Sequence, residues 1–296
     1  MIAQQILNGI ISGAVYALFS LGFTLIFGVN KILNLAHGGI FMAGAFIGFY
    51  AAASGLPFWA ACLLAMVGAG ILANLVDLFA FRRLRTSKHG EFGTMIASIG
   101  ANMVLISIAQ QLSNTQDFRF PFDTIPISFF RVAGLRLSTL QVAIVILVGV
   151  LLILLVLYLY KTSFGRQVRA VAGNDRASML LGVNPDKVYF QTFFISGALA
   201  GIAGVLIGLL FNSINFLMGD TYLLRGFVIV ILGGLGSIPG AVIAGLCLGV
   251  FQSLATSYLP SDLTEVIIYS LLFVGLVFRP NGLFGMDTSA IGAVRR

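Results

Sequence analysis

Apolar runs of about 20 residues follow one another along nearly the whole chain with short polar breaks between them, and each is long enough to cross a hydrocarbon core of about 30 Å. Inside lipid every backbone amide must be satisfied within its own segment or in a closed barrel. The runs are continuous and do not alternate with period two, so they predict helices and not barrel strands. Candidate spans are Gln5 to Phe27, Gly38 to Ala53, Phe58 to Phe81, Thr94 to Leu112, Ser138 to Tyr160, Val188 to Phe211, Phe216 to Leu235, Ile238 to Tyr258 and Leu263 to Phe278. The expected fold is all-α, a polytopic transmembrane bundle of about 8–10 spans. With 59% hydrophobic and 9% charged residues and a mean hydropathy of +1.03, against about 25% charged in ordinary soluble domains, a water-soluble fold is excluded. Residues 1–296 read as one membrane domain.

The charges set the topology. Basic residues gather at Arg82, Arg83, Arg85 and Lys88, at Lys161, Arg166, Arg169, Arg176 and Lys187, and at Arg279, Arg295 and Arg296. The positive-inside rule places all three groups in the cytoplasm, and the number of spans between them agrees. The N-terminus is then extracytoplasmic, the C-terminus cytoplasmic, and Lys31 cytoplasmic. The net charge of +7 comes from these short loops, so it implies no nucleic-acid partner. The segment from Ser113 to Leu137 becomes the main external loop. Its Phe118-Arg119-Phe120-Pro121 and Pro126 suggest an ordered cap able to receive a partner, the alternative being a solvated loop. The first span has no preceding Lys or Arg and no A-x-A-like exit, so it is expected to be retained and not cleaved. Cys62 and Cys247 lack metal or CxxC spacing and read as small core hydrophobes.

The plan of the chain recurs. A short Gly-rich span opening with polar residues, Asn34 to Ala53, precedes Pro57 and the span Phe58 to Phe81; Asp220 to Leu235 precedes Pro239 and the span Ile238 to Tyr258. The two pairs run in opposite senses, the arrangement of an inverted repeat. Gly-x-x-x-Gly spacings around Gly197, Gly201, Gly204, Gly208, Gly240, Gly245 and Gly249 suit close helix contact. Asp77 is within reach of Arg82 or Arg83, Asp220 and Arg225 are placed to pair, Glu265 falls near an external end, and no carboxylate stands out near the middle of the bilayer.

The loop Lys161 to Lys187 carries the most information. Asn174 or Asp175 can accept amide hydrogen bonds as an N-cap, Arg176 to Leu181 can form a turn or two of helix, and Gly182 supplies a left-handed stop. Met179, Leu180 and Leu181 would anchor such a helix in a groove on a soluble partner; the competing reading is a basic helix touching lipid headgroups.

These residues resemble the permeases of branched-chain amino acid ABC importers, of the leucine/isoleucine/valine type. Ala177-Ser178 followed by Gly182 is similar to the EAA-x-x-x-G coupling signature, inside the longer Gly165-Arg166, Ala170-Val171-Ala172, Asn174, Ala177, Gly182 pattern of this branch. Arg176 stands where the signature has Glu, and the apolar-Pro tail is missing; the branch usually lacks that Glu. Gly9, Ser12-Gly13-Ala14, Tyr16-Ala17-Leu18 and Gly22, then Asn34-Leu35-Ala36-His37-Gly38, Gly233-Gly234-Leu235-Gly236-Ser237-Ile238-Pro239-Gly240-Ala241, and Phe278-Arg279-Pro280-Asn281-Gly282-Leu283-Phe284-Gly285 extend the likeness in order. The resemblance implies a type II-like ABC importer permease in a bacterial inner membrane, paired with a homologous permease, two cytoplasmic ATPase subunits and an extracytoplasmic solute-binding protein. ATP and Mg would sit on the ATPases, and this chain would bind no cofactor or metal.

The expected coupling residues are Gly165, Arg166, Ala172, Asn174, Asp175, Ala177, Ser178, Met179, Leu180 and Gly182. Expected on the translocation pathway are Asn34, His37, Gly38, Gly233 and Gly234. A helix start at Asn34 and His37 would present amides to a polar solute, the plainer alternative for His37 being a bond to backbone. Gly233, Gly234 and Gly236 suit a hinge or tight turn, and no GK[ST] follows to make a phosphate loop. Walker motifs and a nucleophile–base constellation are absent, so the chain reads as no enzyme. An ion- or proton-coupled secondary transporter, or an ABC permease for urea or short amides, remains the alternative.

Overall fold

In the computed structural model, which describes residues 2–85, 90–121, 128–132, 134–279 and 282–285, the first apolar run becomes α1 (Ile2–Asn30) and is buried on every side from Val15 to Ile26. A helix apolar all round belongs inside a bundle. The chain continues through α2 (His37–Ala53), α3 (Phe58–Val76) with a π-helical turn over Asp77–Phe81, and α4 (Gly90–Ser113). A hairpin of β1 (Phe129–Val132) and β2 (Leu135–Ser138) leads into α5 (Thr139–Lys161). Then come α6 (Ser163–Gly173), α7 (Asp175–Leu180), α8 (Pro185–Phe211), α9 (Met218–Gly233), α10 (Ile238–Tyr258) and α11 (Ser261–Phe278). Among the described residues, 6 helices are long and apolar enough to cross a membrane, while His37–Ala53 and Leu263–Phe278 are shorter apolar helices. Lys88, Asp123, Pro126, Pro280, Asn281, Arg295 and Arg296 lie outside the described residues.

Helices distant in sequence pair with one another. α1 lies along α10, and α8 lies along α3; α2 and α9 pack on each other and on these pairs. Both long contacts run on small residues, as the spacings predict. A Cβ at Gly249 would strike the Gly13 backbone, one at Gly245 would lie 2.8 Å from Ala17, and one at Gly201 would lie 2.6 Å from the Ala65 carbonyl. Without a hydrophobic drive between helices in lipid, such close approach is what holds them together.

The two short helices begin deep. His37, the first residue of α2, places Nε2 3.2 Å from the Phe19 carbonyl, and Phe19 precedes the end of α1 by eleven residues, roughly 16 Å of helix. After Lys31, whose φ is 54, the chain therefore dips back toward the bundle interior without regular structure. Such backbone survives only where protein satisfies it. The Leu35 amide donates to Ser98 Oγ at 3.2 Å, and the Ala36 amide to Asn34 Oδ1 at 3.0 Å. The counterpart follows α8, which ends on Asn212 with φ 48. Ile214 there exchanges backbone bonds of 2.9 Å with Phe118, and the Leu217 amide donates to Asn215 Oδ1 at 3.0 Å. The starts of α2 and α9 meet at Gly38 and Gly219, where a Cβ on Gly38 would stand 2.6 Å from the Gly219 carbonyl.

Several expectations change. The described parts of segment 113–137 are tied to the bundle, with Phe118 stacked on Phe49 at 4.7 Å and Gln4 bridging both backbone groups of Arg136 at 2.9 Å. The helix α6 was not foreseen, because its period is amphipathic at a surface and not apolar throughout. Cys62 is buried as predicted, but Cys247 is exposed on α10.

Candidate coupling surface and mid-membrane polar site

At the end of the bundle carrying Arg82 and Lys187, α6 and α7 form an elbow whose sequence dictates its shape. Thr162 caps α6 by accepting from the Gly165 amide at 3.2 Å. Gly165 is obligatory, since a Cβ there would run into the Leu159 carbonyl, and the Arg169 guanidinium donates to that carbonyl. Val168 and Val171 face the bundle. Asn174 closes α6 and opens α7, its Oδ1 accepting from the Ala177 amide at 3.1 Å. The expected stop is present: Gly182 has φ 82, its amide donates to Met179 and the Val183 amide to Ser178, both at 3.0 Å. That is a Schellman ending.

Ser178 faces inward, while Met179, Leu180 and Leu181 are 52%, 89% and 80% exposed. An apolar triplet this open is available for contact with another surface. The elbow is tied to the spans by a chain of contacts. The Tyr189 hydroxyl donates to the Asp175 carboxylate; the Arg85 guanidinium lies 4.1 Å over the Tyr189 ring and pairs with Asp77 in the π-helical turn. Asp77 thus pairs with Arg85, not with Arg82 or Arg83, because the π turn rotates Arg85 back over α8; Arg82 instead approaches Asp186 at 3.6 Å. A groove of about 660 Å³ opens beside this chain between α3 and α8, lined by Asn74, Leu78, Phe190 and Phe194 among others.

The pathway residues divide. Asn34, His37 and Gly38 come together at the start of α2, with His37 wholly buried between the Phe19 and Phe23 rings at 4.7 and 5.7 Å. Gly233 and Gly234 stand at the far end of α9, where Leu283 and Phe284 donate to the carbonyls of Leu232 and Gly233 at 2.8 and 3.1 Å. Two motifs distant in sequence therefore form one turn, with Gly234 at φ 104 and Gly236 at φ 82.

A second polar group escaped the sequence reading. Asp220 does not pair with Arg225: it accepts from Asn102 Nδ2 at 2.9 Å, near the middle of α4. Arg225 reaches Tyr16, midway along α1, and Glu265 on α11, each at 3.3 Å. Five residues on a helix place the two side chains on different flanks. A carboxylate, Asp220, therefore does lie near mid-span. The available signal was the stripe Thr94, Ser98, Asn102 at helical spacing in an apolar run, all three buried.

A multi-pass helical bundle with short helices starting inside it and ionisable groups drawn into it defines a membrane transport subunit. The fold resembles that of PsaBC from Streptococcus pneumoniae, solved in complex with Fab, with a TM-score of 0.50, 12% identity and coverage of 95% of this chain and 93% of that one. Residues 5–277 match the family described as branched-chain amino acid transport system / permease component, and the chain belongs to that family. It is 31% identical to the high-affinity branched-chain amino acid transport system permease protein LivH of Escherichia coli, covering 95% of each chain. It is also 27% identical to LivM of the same organism, over 92% of this chain and 68% of that protein. The resemblance drawn from the motifs holds, and the chain is a multi-pass permease component, not the catalytic subunit of its system.

Proposed function

We propose that this chain is one of two permease subunits of an ATP-driven importer that brings leucine, isoleucine or valine into the cell across a bacterial inner membrane. The observation that carries the mechanism is the exposed triplet Met179, Leu180 and Leu181 on a helix capped at both ends and tied through Tyr189 and Arg85 to α8 and α3. A cytoplasmic ATPase closing on ATP and Mg would grip residues 161–187 and move both halves of the bundle. This orientation puts the basic end in the cytoplasm, with the N-terminus and the hairpin cap facing an extracytoplasmic binding protein. The similarity to both LivH and LivM supports a second, homologous permease beside this one.

Replacing Asp175 and Gly182 together with bulky residues is expected to leave assembly intact while ATP-driven uptake of L-leucine in proteoliposomes is lost. Normal uptake would overturn the coupling assignment. Uptake that runs on an ion gradient without ATPase subunits would favour a secondary transporter instead.

A further inference from the structure

The two faces of α3 differ in kind. One carries Ala65, Ala69 and Ala73, which stand against Gly197 and Gly201 of α8, and small residues are what close helix contact in lipid needs. The other carries Leu63, Val67, Ile71 and Leu75, spaced by four and 43–61% exposed. Branched side chains in such a stripe hold a neighbouring helix off and present a surface suited to lipid tails. At its basic end the stripe runs into the groove of about 660 Å³ between α3 and α8, where Leu78 and Phe190 are also open, at 45% and 57%.

The lining of the groove runs from Ile71 to Arg82 along α3 and the π-helical turn, roughly 16 Å of helix, close to half of a hydrocarbon core of about 30 Å. Its walls lose their dispersion contacts unless something fills it. The charged residues gather at one end. Asp77 and Arg85 pair with each other at 9% and 14% side-chain exposure, so the inner wall is neutral. Arg82 and Asp186, 57% and 63% exposed, stand 3.6 Å apart, an ion pair of little worth in water. Lys187 lines the same end, is exposed, and makes no ion pair among the described residues. Arg82 and Lys187 therefore outweigh the Asp186 carboxylate at the mouth.

We propose that this groove holds one anionic glycerophospholipid. Its phosphate sits between Lys187 and Arg82, and an acyl chain lies along Leu75, Ile71 and Phe190. Positive charge at one end and an apolar wall one leaflet deep match the two halves of such a lipid. The bound lipid touches both α3 and α8 beside Arg85, whose guanidinium lies over the Tyr189 ring, and so braces the contact that ties α7 to the spans. Only the choice of leaflet rests on the orientation proposed above.

The test uses the complete transporter in phosphatidylcholine liposomes that contain a trace of phosphatidylglycerol or of phosphatidylcholine with a photoreactive diazirine on one acyl chain, and maps the cross-links by peptide mass spectrometry. At Leu75 and Phe190 the phosphatidylglycerol probe should label at least about fivefold more than the phosphatidylcholine probe, the discrimination that one basic side chain gives an anionic lipid. At Ile153, 62% exposed on α5, the two probes should label alike. Arg82→Gln with Lys187→Gln should bring the ratio in the groove down to that at Ile153. No label in the groove from either probe would mean that the second permease or an ATPase covers it and would overturn the proposal. Equal labelling of the groove by both probes would leave only an apolar contact and overturn it as well. A preference that survives the double variant would overturn the assignment of the phosphate to Arg82 and Lys187. The comparison of the two probes on the unaltered chain decides the proposal even where the double variant fails to assemble. Absence of ATP-driven leucine uptake would instead fault the importer reading, and the cross-linking result would stand regardless.

Discussion

Tyr189→Phe removes one oxygen and separates two roles of the same ring. The hydroxyl's bond to Asp175 holds α7 against α8, whereas the stacking of Arg85 on the ring face at 4.1 Å survives in phenylalanine. A hydrogen bond to a charged group contributes about 1.5–3 kcal/mol when shielded. Asp175 is exposed and regains water once released, so about 1–1.5 kcal/mol is the expected loss, close to a tenfold shift in the ratio of docked to undocked α7. The spans should be unaffected, since Tyr189 keeps its place beside Arg85 and Asp77. Measured in proteoliposomes with all subunits present, leucine transported per ATP hydrolysed should fall severalfold while basal ATP hydrolysis persists. An unchanged transport-to-hydrolysis ratio in correctly assembled Tyr189→Phe would refute the idea that this contact carries motion from the elbow to the bundle.

Gly165→Ala should lower the thermal midpoint in detergent and reduce yield, because the new methyl meets the Leu159 carbonyl; overpacking of this kind costs about 1–3 kcal/mol. Gly149→Ala, with open space around its Cβ position, should be neutral or stabilising by up to about 1 kcal/mol, so equal destabilisation of the two would contradict the packing described. Asp77→Asn leaves Arg85, 14% exposed at its side chain, without its counter-charge, and should cost about 3 kcal/mol, the low end for breaking a buried pair. Thermal unfolding reads the loss, and an unshifted midpoint would show that water already screens the pair.

The short capped helix α7 was legible in the sequence because its signals are local. Asn174 accepts from an amide three residues on, and Gly182 adopts a backbone that other residues resist, so neither depends on distant parts of the chain. The partner of Asp77 was not legible, since the choice of Arg85 over its neighbours follows from a π-helical turn that composition does not announce. The same holds for Asp220 and Arg225, near in sequence yet on different sides of α9 and answered by α4 and by α1 and α11. Gly233 and Gly234 showed that something turns there, but not that residues 282–285 complete the turn.

Hydrophobic length and charge bias determined the class of fold and the helical spans, because the bilayer is a uniform solvent that reads each segment independently. Tertiary structure alone decided which polar groups meet at mid-membrane. His37 reaches the Phe19 carbonyl only because the chain dips back after Lys31, and Gly38 touches Gly219 only because the starts of α2 and α9 cross. Where helices pack on small residues, a shift of one turn would exchange every such partner, and that register is set by the whole bundle.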